Sequence, residues 1–284
     1  MFEMIIRPKK AEKKPWEMLF VGIFYASLSV LLVDWIFSAD AILSKYSGMI
    51  IVTFCVMFTL PFMYYLFKFE EEKDEKVQGF FKILKIHSTA VKAFVWLFLG
   101  FIIAFSFWYI VLPNEFLFKA QIQTYCAINS PGDIENCVEQ YELGKKPNVI
   151  AGNVTKIGRL MTIIENNTYV LIFTLVFSLI FGAGAIFILA WNASVIAAAI
   201  GIFSQYEIRN IPLGLARYMI HGIPEIVAYF VAALSGGIIS VGVIRYGLKD
   251  KRFLRIISNS VTLLFVSIII LAGIIEVWVT PSIF

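Results

Sequence analysis

The sequence predicts an all-α fold, a polytopic bundle of transmembrane helices, on three observations. Of its 284 residues, 60% are apolar and only 15% are charged. Several apolar runs reach about twenty residues, the length that crosses a bilayer core. The basic residues gather between those runs, as they do in loops that set the orientation of a membrane protein.

The first run starts at Met18 with no small-residue cleavage site behind it, so it reads as a retained span and not as a signal peptide. Spans are expected at 18–38, 49–67, 91–112, 168–191, 193–220, 222–244 and 256–278. Segments 1–17, 68–92 and 245–255 hold 16 of the 24 Lys and Arg residues, which places all three in the cytoplasm by the positive-inside rule. The fifth run is the weak one. Its apolar part, SVIAAAIGIFS, is too short to cross alone, and Glu207, Arg209, Pro212 and Gly214 interrupt the stretch before LARYMI. Either this is a broken span, giving seven crossings, or it is a re-entrant excursion, giving six.

The chain divides into residues 1–112, with the basic N-terminus and three spans; 113–167, an extracytoplasmic loop; and 168–284, a C-terminal bundle. In the loop, Cys126 and Cys137 flank a Pro-Gly turn, and an oxidising compartment favours a disulfide between them, with two free thiols as the alternative. The loop carries no His and no further Cys, so metal ligation is not expected. Asn153 and Asn166 stand in Asn-x-Ser/Thr sequons and are candidate glycosylation sites. Cys55, in the second span, reads as a small buried residue.

After the second span comes KFEEEKDEKVQGFFKILKIHSTAVK. Phe80, Phe81, Ile83, Leu84 and Ile86 could lie in the interface with Lys82 and Lys85 toward anionic headgroups, or the segment is a solvated connector that enters the next span early. His87, at that border, reads as a lone interfacial side chain. Trp16 and the lysines before it suit a membrane anchor. The partners expected are the bilayer and a membrane or extracytoplasmic protein. A formal charge of +4 argues for no nucleic acid.

Asn192, His221, Glu225 and Glu276 are the polar residues that the apolar runs contain or border, and ionisable groups in such runs need a reason. Pro224 belongs in a first helical turn, so the sixth span is expected to start at Ile223 or Pro224 after a turn at Gly222. Glu225 would then sit near the outer boundary, level with Glu276, with Arg209 or Arg217 as ion-pair partners. Asn192 closes the fourth span at the opposite end. The cluster is either a structural ion-pair layer or a cation or proton site. Gly182, Gly184, Gly236 and Gly237 mark places where helices can approach closely. No nucleophile–base pair and no cofactor motif can be named, so a non-enzymatic protein without a cofactor or catalytic metal is expected.

Four features coincide in order: ENNTYV at 165–170, the WNAS step at Asn192, HGIPE at 221–225 followed by AALSGG, and IIEVWVTP at 274–281. Together they resemble the stage II sporulation protein M family of bacterial and archaeal membrane proteins. The resemblance covers residues 165–281 and implies a multi-pass scaffold, since the sporulating member is understood to recruit peptidoglycan-degrading partners at the membrane. The function expected is that of a scaffold or assembly factor in the cell membrane, with a cytoplasmic N-terminus. The alternative is a transporter or channel for a small cation or proton that uses the Glu/His cluster.

Overall fold

The computed structural model describes residues 13–74, 80–112, 116–129, 132–142, 156–181 and 185–264. Those residues form helices and turns, with no strand among them. In order they are α1 (Glu17–Phe37), α2 (Ser47–Asp74), α3 (Phe80–Val111), α4 (Lys119–Asn129), α5 (Ile134–Glu142), α6 (Lys156–Phe181), α7 (Ala185–Phe203), α8 (Ile211–Tyr246) and α9 (Lys251–Leu264). Six of them, α1, α2, α3, α6, α7 and α8, are long and apolar enough to cross a membrane. Between α1 and α2, Asp40 accepts backbone N–H bonds from Leu43 at 2.7 Å and Ile42 at 2.8 Å, which close the turn. Those bonds, Leu43 first, hold its carboxyl below the usual carboxylate range.

Small residues set the closest helix contacts. Gly22 on α1 faces Gly100 on α3, where a Cβ on either would overlap backbone of the other helix, at the Leu97 and Leu19 carbonyl oxygens. Lipid tails are as apolar as leucine, so this fit and its dispersion contacts hold the pair together. Gly236 on α8 likewise lies against Leu175 and Ser178 of α6, whose hydroxyl donates to the Ala233 carbonyl at 2.6 Å. Gly237 lies against the Phe67 ring of α2. Around these crossings Phe67, Phe94, Phe98 and Phe230 stack into a closed core.

Contacts along α8 give the helix directions. Asn167 and Ser178 of α6 meet Glu225 and Ala233, and Phe67 and Glu71 of α2 meet Gly237 and Arg245, so α2 and α6 run parallel to α8. α7 runs against α8, with its end, at Ile200 and Ser204, beside Gly214.

The structure corrects several boundaries. The expected span 168–191 and broken span 193–220 are α6, ending at Phe181, and an unbroken α7 over Ala185–Phe203. The boundary between the two helices falls between Phe181 and Ala185 and not at Asn192, which lies inside α7; apolarity alone runs straight across it. The sixth span starts at Ile211 with Pro212 in its first turn, and Pro224 is accommodated inside it. That first turn is where proline's missing N–H is harmless. Residues 113–167 are not one loop: the chain forms α4 and α5, and α6 already begins at Lys156. FFKILKI opens α3 itself, so it enters the span early, and Ile83 is buried.

Two remaining questions are answered by contacts at one end of the bundle. Tyr206, in the turn between α7 and α8, donates to the Tyr141 carbonyl at 2.7 Å and stacks on Tyr109 at 5.7 Å. That turn and the Cys-bearing segment therefore lie at the same end, and the 193–220 stretch is no re-entrant excursion. Cys126 and Cys137 are joined in a disulfide between α4 and α5, and Cys55 is free and buried.

Candidate functional site

The polar layer is built on α6 and α8. Asn167 is 4% exposed, and its side-chain N–H donates to Glu225 Oε1 at 2.6 Å. A carboxylate–amide bond of that length is charge-assisted, and in apolar surroundings it replaces part of the hydration that the carboxylate loses. Asn166 makes a long 3.5 Å contact to Asn167 Oδ1, well inside α6 and not in a loop.

Glu225 lies inside a helix and not in its first turn, since α8 begins at Ile211 and takes Pro224 into its interior. It is the fourth residue of the helix's most apolar window, Gly222–Tyr246. Gly214, eleven residues before it, lies beside the last turn of α7, and Gly237, twelve residues after it, lies beside the Phe67 ring of α2.

Asn192 is also displaced. It lies inside α7, where its side-chain N–H donates to the Ile188 carbonyl at 2.7 Å. Counting back from the Ile200–Gly214 contact, Asn192 comes level with about residue 222 of α8. The structure thus brings Asn192 to the depth of Gly222 and Glu225, where the sequence reading had it at the opposite end. The arginines do not join the layer: Arg209 pairs with Glu207 at 2.6 Å in the turn, and Arg217 packs over the Phe203 ring at 4.8 Å. Glu276, Asn153, Gly182, Gly184 and the His221 side chain lie outside the described residues.

Sequence reasoning missed Asn167 as a site residue, though ENNTYV was noticed. The signal was there: two adjacent amides inside a run that is helical and apolar on both sides. It also missed a cluster at the other end of α8. Glu70 and Glu71 are fully buried. His87 Nδ1 lies 2.6 Å from Glu70 Oε2, and Lys73 donates to Glu70 Oε1 at 2.8 Å. Arg245 bridges Glu71 at 2.7 Å and Glu72 at 2.9 Å. His87 is therefore no lone interfacial residue but part of a clamp joining the ends of α2, α3 and α8.

At the Tyr206 end, α4 is fastened down. Gln121 donates to the Gly48 carbonyl at 2.9 Å and to Ser194 Oγ at 3.2 Å, bridging α2 and α7. Burial raises the Tyr125, Tyr141 and Tyr206 phenols above their usual range, so they stay neutral there. Among the described residues no cluster of His, Cys, Asp and Glu could hold a metal ion.

Comparison with curated proteins and with solved structures finds no match. A family model described as Stage II sporulation protein M matches residues 93–281, well over half of the chain, and the chain belongs to that family.

Proposed function

We propose that this member of the stage II sporulation protein M family is a non-enzymatic membrane scaffold that holds its disulfide-stapled α4–α5 unit on a rigid bundle, facing out of the cell. The observation that carries this reading is the Asn167–Glu225 bond. The carboxylate within the apolar part of α8 is taken up by a neighbouring helix and serves to fix α6 against α8. The same pattern recurs at both ends, in the Gln121 bridge and in the Arg245 clamp. The positive-inside rule sets the Arg245 end in the cytoplasm and α4–α5 outside.

The test is gentle extraction of the tagged full-length chain from native membranes. Recovery of a stoichiometric partner protein is expected, and absence of any partner overturns the scaffold reading. A second reading, a cation or proton site, is favoured by Asn192 and Gly222 lying at the depth of Glu225. It requires that the reconstituted chain move ions or protons under an imposed gradient.

A further inference from the structure

At the end of the bundle tied by the Glu70–His87 and Arg245–Glu71 contacts, three apolar spans stop together. Those of α2 and α8 end at Lys73 and Tyr246, and that of α3 begins at Lys85, which sets this end at the bilayer interface. The corner from α8 to α9 is held from within. Gly247 turns it with φ at +72°, a conformation open to glycine. Asp250 accepts the Arg252 backbone N–H at 2.8 Å and its guanidinium at 3.0 Å, and that guanidinium lies 4.3 Å over the Tyr246 ring. Asp250 and Arg252 thus cancel each other, and what the corner turns outward is cationic and apolar together. Lys249 and Lys251 are exposed, with no ion-pair partner among the described residues. Arg255, one turn along α9, is exposed too. About one turn from the corner on either side, Ile244 is 81% and Leu254 59% exposed. The other face of α9, with Ile256, Asn259 and Ser260, is buried.

We infer that this corner is a seat for the headgroup of an anionic phospholipid, with Lys249 and Lys251 at its phosphate and Ile244 and Leu254 beside its acyl chains. Two observations select that occupant. The exposed charge is cationic once Asp250 and Arg252 are paired, and the large apolar side chains lie one turn nearer the hydrocarbon than the lysines, the layout of an amphiphile. A soluble acidic partner would match the first and not the second, and a zwitterionic lipid would bring its own ammonium group to the lysines. The charge pattern puts this end in the cytoplasm, the side on which the leaflet is anionic. Each basic residue at such a surface strengthens binding about fivefold. The inference goes beyond the scaffold reading and does not depend on it.

The experiment reconstitutes the full-length chain in phosphatidylcholine nanodiscs doped with photoreactive phosphatidylglycerol or, separately, photoreactive phosphatidylcholine, and maps the adducts by peptide mass spectrometry. Phosphatidylglycerol adducts at 244–255 are expected at roughly twenty-five times the phosphatidylcholine yield, about fivefold for each lysine. Lys249→Gln with Lys251→Gln should bring the two yields together, and Lys249→Arg with Lys251→Arg should keep them apart. The Gln pair should melt at the parent's temperature in pure phosphatidylcholine, because both side chains are exposed. Removing two other exposed cations, Lys13→Gln with Lys14→Gln, should leave the preference unchanged. Equal yields, no adduct at the corner because a protein covers it, or a preference indifferent to the Lys249 and Lys251 pair overturns the inference. So does a preference that the Lys13 and Lys14 pair lowers equally, the mark of diffuse surface charge. Loss of the adducts to inorganic phosphate at constant ionic strength would assign the lysines to a free anion and overturn it as well.

Discussion

Removing the amide of Asn167 separates a structural clasp from a wet ion site. In Asn167→Ala the Glu225 carboxylate keeps its place on α8 and loses the donor now 2.6 Å away. Leaving a buried acceptor short of a bond costs about 1–3 kcal/mol, and the partly buried Glu225 falls toward the lower end of that range. Interhelical bonds in membranes have measured lower, at about 0.6 and at most about 1.7 kcal/mol, because the unfolded helices find other partners. A loss of about 1–2 kcal/mol is therefore expected for Asn167→Ala. Glu225→Gln keeps an oxygen that can accept the same bond and removes a charge that is costly to hold in apolar surroundings, so it should stay within about 1 kcal/mol of the parent. The assay is reversible unfolding in bicelles, read as a double-mutant cycle with Glu225→Ala. A coupling of about 1–1.5 kcal/mol is the expected result. A coupling near zero would refute the clasp, as would Glu225→Gln stabilising the fold by several kcal/mol, the mark of a carboxylate kept for function at the expense of stability.

The packing sets three further outcomes. Replacing Cys126 and Cys137 by Ser frees a loop of eleven residues' separation, which the chain-entropy relation values at about 3 kcal/mol; thermal unfolding in detergent should drop accordingly, and an unchanged midpoint would show that the staple adds nothing. Gly100→Ala puts a Cβ against the Leu19 carbonyl, a backbone atom that cannot rotate away, and should destabilise by about 1–3 kcal/mol, whereas Gly222→Ala meets only the far ends of the Met219 and Ile226 side chains and should be mild. Both are read by the same unfolding assay, and equal effects would contradict the Gly22–Gly100 contact. Cysteines placed at Ile208 and Gln123 should both react with an impermeant thiol reagent from the same side of the membrane, because Tyr206 and Tyr141 are bonded at one end; labelling from opposite sides would break the assigned helix directions.

The fold class could be read from apolar runs, and the disulfide from two cysteines around a turn in a segment that the charge pattern leaves outside the cytoplasm. Depth could not. A run of apolar residues from Tyr169 to Trp191 offers no mark of where one helix ends and the next begins, and the small residues of FGAGA suit a helix contact equally well. Misplacing that boundary moved Asn192 from the middle of a helix to its end. Pro224 misled in the same way: a proline breaks the bond to the residue four before it, and the local sequence does not say whether neighbouring helices absorb the loss. The Arg245–Glu71 pair spans 174 positions and has no local signature. Three consecutive glutamates beside lysines look solvated until His87 of α3 and Arg245 of α8 meet Glu70 and Glu71.

The most direct test of the central claim is proton and cation flux through purified chain reconstituted in liposomes under an imposed gradient, compared with protein-free liposomes and with Glu225→Gln. A structural Asn167–Glu225 layer predicts flux equal to the protein-free background in both variants. Flux above background that disappears in Glu225→Gln would contradict it and make Glu225 an ion-carrying residue.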